Sequence, residues 1–366
     1  MGLNRFIYDK VVRDSVLLPL VTSDYHPSYV PEKLRNIWTD YYYRSKYGAD
    51  TGWGLWWIGV GLNKLYFRDY GDTPRTATIP DGWYDADALA MEIETQMEAQ
   101  TSDNFYVVYS DISGKFTITD NAGIYTLTCT LTTNAIWNEI GFDTDADKTG
   151  SAAYNSDNMR IHNCAGFIME TGDASAISCS ACALFGLNLT SSYQTLQLDR
   201  WTGSAWEKIG DFDYDYPNRR AILMWIPSAS IKYRVLAKDW SNADRYFQCG
   251  AVVLGDYAEI SRGYDYGASF PIEDTSVHLY SKKGYLNVKR GYIKRGRSVE
   301  YLVMAADEAI LEDVYYNQGK HYPVVFVKDA DDPENTMEYI IFTGVFDRTE
   351  EDAYFVSVGL TWVEVN

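Results

Sequence analysis

The chain has 366 residues, of which 46% are hydrophobic and 15% aromatic, with 31 Tyr against 14 Phe and 11 Trp. That length leaves room for two or three domains, and the surplus of Tyr suits pleated, half-exposed strands better than helix bundles. A net charge of −19, from 32 Lys plus Arg and 51 Asp plus Glu, opposes any sequence-independent hold on phosphate backbones and excludes nucleic acid as an expected partner.

The opening MGLNRFIYDKVVRD holds no apolar run of signal-peptide length, and Phe6 stands where a myristoylation motif wants Ser or Thr. The longest apolar patch, GWGLWWIGVGL, is too short to cross a bilayer. The expectation is a soluble, unprocessed chain with no membrane insertion. Residues 1–71 mix short strand candidates with a polar excursion, TSDYHPSYVPEKLRNIWTD, and show no clean hairpin, so their strand partners are expected later in the chain.

From 72 to 154 the grammar changes. Asp85 reads as an N-cap, Asp87 places a carboxylate in the first turn, and Leu89, Ile93 and Met97 recur every four residues. This spacing predicts one amphipathic helix of about three to four turns. NFYVVYSDISGKFTITD alternates on both sides of a polar segment containing Gly114 and predicts a hairpin. GIYTLTCTLTT predicts a third strand and NAIWNEIGF a short helix. A helix laid on a small sheet makes a self-contained α+β module.

Residues 155–262 return to strands separated by turn residues: FIMETG, AISCSACALFGLNL, YQTLQLDRWTG, RAILMWIP, IKYRVLAKDW and RYFQCGAVVLGDY. Joined with residues 1–71 they complete one β-sandwich, into which 72–154 is inserted. Residues 263–366 add VHLYSKK, YLNVKRGYI and RSVEYLVMA, then a helix near 306–318. In it Asp307 and Glu308 open the first turn, Ile310, Leu311, Val314 and Tyr315 form the apolar stripe, and Gly319 closes. YPVVFVKD and MEYIIFTGVF, joined by the loop DADDPENT, and YFVSVGLTWVEV finish this unit. The fold class is therefore mainly β: a β-sandwich interrupted by a small α+β insertion and followed by a C-terminal β-rich α+β domain.

Few residues suggest chemistry. Cys129, Cys164, Cys179, Cys182 and Cys249 are an odd number in a long chain, which argues for buried free thiols over a disulfide framework. The one paired spacing, CSAC at 179–182, lies in a strand, where residues three apart point to opposite faces and neither chelate one metal nor form a redox pair. His26, His162, His278 and His321 fall in no local catalytic signature, and there is no Walker loop and no GxGxxG. Asp143, Asp145 and Asp147, like Asp211, Asp213 and Asp215, alternate as calcium ligands do. An EF-hand loop needs Gly sixth and Glu twelfth, where these strings hold Lys148 and Tyr154, or Tyr216 and Ile222, so both read as solvated turns. No catalytic residue, metal or cofactor is expected, and the chain does not read as an enzyme.

The run KKGYLNVKRGYIKRGR carries Lys282, Lys283, Lys289, Arg290, Lys294, Arg295 and Arg297 and no acid. In a chain at −19 this asymmetry has two readings: an edge strand kept from aggregating by its charge, or an inter-subunit contact with an acidic surface. Trp201 and Trp206 bracket a TGSA turn and are the candidates for stacking on a glycan.

Taken in order, these pieces resemble tail proteins of tailed bacteriophages. ATIPDGWYDADALAMEIETQMEA, FYVVYSDISGKFTIT and IWNEIGFD are similar to a module recurring in viral structural proteins, in which a strand and turn precede a short helix, a hairpin and a closing turn. CALFGLNLTSSYQTLQLDRWTG and YRVLAKDWSNADRYFQCGAVVLGDY resemble the strands and Asn turns of a galactose-binding-like jelly roll, and the Asp-Pro loop with GLTWVEV resembles the C-terminal unit of the same proteins. The resemblance covers nearly the whole chain. It implies a virion component of the tail tip or baseplate, of distal-tail or minor-tail type, assembled in the host cytoplasm as a ring of copies and touching tube, hub and fibre proteins. It carries over no sugar-binding and no catalytic residue. The alternative expectation is a glycan- or receptor-binding adhesin module at the tail tip, meeting a host surface glycan through Trp201 or Trp206.

Overall fold

The computed structural model describes residues 4–10, 16–19, 34, 43–44, 56–59, 61–110, 113–158, 165–171, 175–239, 242, 246–261, 269, 272–274, 277–280, 286–289, 293–351 and 354–365. They form a mainly β protein of several antiparallel sheets and a few helices. The longest sheet has eleven strands. Its path runs Asp213–Asp215, Arg220–Ser230, Ile177–Phe185, Ala251–Ile260, Asn4–Asp9, Val324–Val327, Met337–Phe342, Phe355–Glu364, Ile293–Met304 and Ile272–Asp274, with Asp347–Glu350 also paired to Phe355–Glu364.

A second sheet of five strands packs on the first part of this path: Trp206–Asp211, Thr195–Trp201, Lys232–Lys238, Ala165–Glu170 and Val16–Pro19. Alternate residues from the two sheets meet in one buried core, Leu196, Leu198, Phe167 and Val235 from one and Cys182, Leu184, Val252 and Leu254 from the other. This is the β-sandwich that the period-two patterning predicts. Leu17 and Leu34, from the start of the chain, lie in the same core.

The long sheet continues past the sandwich. Strand Asn4–Asp9 bonds Ala251–Ile260 on one side and Val324–Val327 on the other. Phe6 faces Val324, Phe326 and Trp362 in a further core, which helix Ala305–Gln318 covers with Leu311 and Val314 while Ile310 and Tyr315 lie half-buried beside it. Glu308 pairs with Arg348 at 2.6 Å, and the Asp307 carboxylate accepts the Ser261 N–H at 3.2 Å. Gly319 ends the helix at φ +56°. The C-terminal part, expected as a separate domain from 263, thus shares its sheet with the sandwich. The physical reason is that Asn4–Asp9 satisfies its backbone groups on both edges only when both halves are present.

The inserted module has its own core. Helix Ala86–Glu98 starts on Asp85, whose carboxylate accepts the Ala88 N–H at 2.7 Å, and buries Leu89, Ile93 and Met97. Phe105–Ser110 and Lys115–Asp120 form the hairpin, turning through Gly114 at φ +64°. The third strand, Tyr125–Leu127, joins a different sheet, pairing with Lys64–Arg68 and Lys148–Ser151. Trp56, Ile58, Leu65 and Phe67 also lie in the module's core. Residues 56–59 and 61–71, expected in the first part of the sandwich, therefore belong with the insertion. Edge-on ring contacts hold them there: Phe67 to Phe105 at 5.3 Å, and Trp56 to Tyr109 and Phe116 at 5.5 and 5.6 Å.

Phe6 is fully buried and its ring meets those of Tyr301, Phe326, Phe342 and Trp362. Phe6→Ala is expected to lower unfolding free energy by about 3–5 kcal/mol. Denaturant melts followed by tryptophan fluorescence measure it, and a loss under about 1 kcal/mol would contradict the central place given to this strand.

Candidate functional site

In the C-terminal half, four strands carry apolar alternation only as far as the core reaches. One step further along the same face, the residue is charged. Val299 is preceded by Arg297 and Arg295, Phe326 is followed by Lys328, Ile340 is preceded by Glu338, and Trp362 is followed by Glu364. The register places them together: Arg297 lies opposite Trp362, Glu338 opposite Phe326, and Glu364 opposite Ile340. With Arg220 reaching in from the sandwich half, these side chains line a cleft of about 350 Å³.

Arg220 opens strand Arg220–Ser230, with its Nε 2.9 Å from the buried Asp215 carboxylate. Its guanidinium also donates to the Asn335 carbonyl oxygen at 2.8 Å and to that of Met337, so it ties the short helix Pro333–Thr336 to the sandwich. Arg297 forks onto both oxygens of Glu338. Burial, and then the nearby Glu338 carboxylate, push the Glu364 carboxyl above its ordinary range, against the opposing pull of Arg295, Arg220 and Arg297. Among the described residues Arg295 and Lys328 form no ion pair. The arrangement sets four cations, two of them fixed in the walls by their own carboxylates and Arg295 drawn toward Glu364, against the Glu338 and Glu364 carboxylates of the lining, which leaves the cleft net positive.

Of the seven basic residues singled out from the sequence, Arg295 and Arg297 reach this cleft. Lys289 and Lys294 lie on strands Leu286–Lys289 and Ile293–Met304, their side chains outside the described set, and Lys282, Lys283 and Arg290 lie outside the described residues. Sequence reasoning missed Arg220 and Lys328. Lys328 is a single cation just past a strand end and Arg220 the second of an Arg-Arg pair at a strand start, and no local pattern marks either as a site residue.

Trp201 and Trp206 sit opposite each other across the hairpin of Thr195–Trp201 and Trp206–Asp211, their rings 5.4 Å apart at 64°. Both are half-buried. The Arg234 guanidinium lies 4.5 Å from the Trp206 ring centre and is held at 2.7 Å by Asp199, a pair with side chains only 7% and 3% exposed. Trp57 of the insertion approaches the same guanidinium at 5.7 Å. Trp206 is therefore committed to a buried cation on one face.

The four described cysteines are free and buried as expected, but the placement of Cys179 and Cys182 on opposite faces needs correcting. A bulge between Cys179 and Ala181 shifts the alternation by one residue, so Cys179 and Cys182 both face the sandwich core, together with Cys249. Burial pushes the Cys179 and Cys249 thiols up to about 12 and the Cys182 thiol well above its ordinary value. Cys129, in the insertion core, is pushed up to about 12 in the same way. Cys164, His26 and His162 lie outside the described residues, as does the side chain of His278, and His321 is exposed after the C-terminal helix. The acidic strings serve local structure: Asp147 accepts the Thr130 N–H at 2.9 Å, Asp143 accepts from the Asn158 amide, and Asp211 pairs with Lys208 at 2.7 Å. Among the described residues no group of three or more His, Cys, Asp or Glu is placed to hold a metal ion, and no helix is long and apolar enough to cross a membrane.

No family model and no curated protein matches this chain. Among solved structures it has a partial likeness to CpGH89CBM32-5 from Clostridium perfringens, in complex with GalNAc-β-1,3-galactose. The identity is 10%, the match covers 25% of this chain and 66% of that one, and the TM-score is 0.20. The sugar in that structure belongs to that protein.

Two measurements probe these assignments. At about pH 8 iodoacetamide should leave Cys129, Cys179, Cys182 and Cys249 unmodified in the native protein and label them after unfolding. Peptide mass mapping reads the result, and native labelling of Cys182 would refute its burial. Because the folded Glu364 carboxyl titrates above its unfolded value, wild type loses stability as pH rises through that range. Glu364→Gln should therefore gain stability relative to wild type over the pH window that opens at the ordinary Glu value of about 4.3 and runs upward from it. Melting temperatures across that window that run parallel for the two proteins would refute it.

Proposed function

We propose that this chain is a structural virion protein of a tailed bacteriophage, a tail-tip or baseplate component that self-assembles and contacts tail-tube or fibre proteins. The observation that carries the reading is the shared sheet. Sandwich and C-terminal part are held together by one strand hydrogen-bonded to both, as suits a part that fixes neighbours in place. The order of sequence pieces that resembles tail proteins supports it, and so does a charged cleft, since charge complementarity sets orientation between assembling subunits. The glycan-binding alternative draws less support, because Trp206 already stacks on Arg234.

Antibodies to the purified protein, imaged by negative stain on intact particles, are expected to decorate the distal end of the tail. Decoration of the capsid, or an undecorated particle, would overturn the assignment.

A further inference from the structure

The negative charge of the chain is not spread evenly. Residues 56–154 hold fifteen acidic side chains against five basic ones, so −10 of the total −19 lies within the inserted module and the strands that join it. The module's contact with its own sandwich uses Glu139, 3.0 Å from Lys238, and Trp57 near Arg234. Other carboxylates, among them Asp81, Asp87 and Asp145, face solvent. The cleft at the end of the long sheet has a net positive lining, Arg220, Arg295, Arg297 and Lys328 against Glu338 and Glu364, with Arg220 and Arg297 fixed by Asp215 and Glu338 and Arg295 attracted to the half-buried Glu364 without an ion-pair contact among the described residues.

We propose that this cleft receives exposed carboxylates from the inserted module of a second copy, in a head-to-tail contact. The proposal rests on the reading of the chain as a self-assembling component and names the two surfaces that meet. Its physical basis is complementarity. A like-charged pair of whole chains repels at long range, so a local patch of opposite sign favours and orients association, and the cleft supplies one that is partly walled from solvent. Cleft and module are different surfaces, so the contact is heterologous. Each added copy leaves one free cleft and one free module, and growth stops only when a ring closes.

The complementation experiment for a heterologous contact tests this. One variant carries Arg295→Glu and Lys328→Glu, which leaves the wall pairs of Arg220 and Arg297 in place. The other carries Asp81→Lys, Asp87→Lys and Asp145→Lys. Sedimentation velocity at about 50 mM NaCl should show wild type as oligomers that dissociate by about 500 mM, where the Debye length falls below roughly 5 Å. Each variant alone should be monomeric, and an equimolar mixture should assemble again, since the native cleft of one variant meets the native module of the other and the reversed cleft meets the reversed module. Wild type that stays monomeric at low salt, a cleft variant that assembles like wild type, or a mixture that stays monomeric would each overturn the proposal. Matching circular dichroism and melting temperatures show that the variants fold, and if the reversal fails this check, Arg295→Ala with Lys328→Ala should weaken assembly at least about tenfold. The outcomes separate from the assignment to a virion: assembly that ignores these residues removes this interface alone, while antibody labelling decides the other question.

Discussion

The rest of the structure depends on one six-residue strand, Asn4–Asp9, being hydrogen-bonded along both edges. On one edge Asp9 lies opposite Gly255, where a Cβ would stand 2.0 Å from the Tyr8 carbonyl oxygen, so only glycine allows the close approach. On the other, Phe6 lies opposite Phe326. Side chains fasten the ends: the Asn4 amide donates to the Lys328 carbonyl at 2.6 Å, and the Gln318 amide to that of Asp9 at 3.2 Å. Because alternate residues of a central strand serve opposite faces, Phe6 completes one core and Ile7 another. The partners lie some 250 and 320 residues away in sequence. Such closures form late and slowly, so the strand joins units already shaped by local contacts.

A second joint holds the insertion. The outer face of the five-stranded sheet carries Arg234 and Lys238, two residues apart twice over on one strand, and the module meets both, through Trp57 and Glu139. A buried pair such as Asp199 and Arg234 adds little net stability against apolar residues of the same volume, because desolvation offsets the attraction. Its effect is one of specificity. An unpaired Arg234 under two indoles would be strongly unfavourable, so the register that brings Asp199 opposite it is enforced.

What was legible in the sequence was what short-range physics decides. Leu89, Ile93 and Met97 with Asp85 before them specify a helix wherever the segment lands, and the alternation in the strands of the sandwich specifies faces. What was not legible depends on long-range pairing. Trp56 to Phe67 alternate in a way that suits either core, and aromatic partners in the module decide the matter. The bulge beside Ser180 inverts a face assignment that period two alone makes wrongly, and nothing in AISCSACALFGL marks it. Basic residues at 282–297 stood out as a run, yet the cleft draws Arg220 from one strand and Lys328 from another.

The cleft also explains why its charges sit where they do. A strand that leaves a core must change from apolar to polar on the same face, and four strands doing so side by side bring their first charged residues to one place. Two carboxylates and three cations meeting there would be an ordinary solvated rim, but Arg220 crosses from the sandwich half and walls one side of it into a cleft. That crossing exists only because Asn4–Asp9 aligns the two halves in one sheet. The strand that completes the fold therefore also assembles the site, and a chain whose halves failed to join would present Arg295 and Lys328 as isolated surface charges, with no enclosing wall to make their attraction for a carboxylate outlast screening by salt.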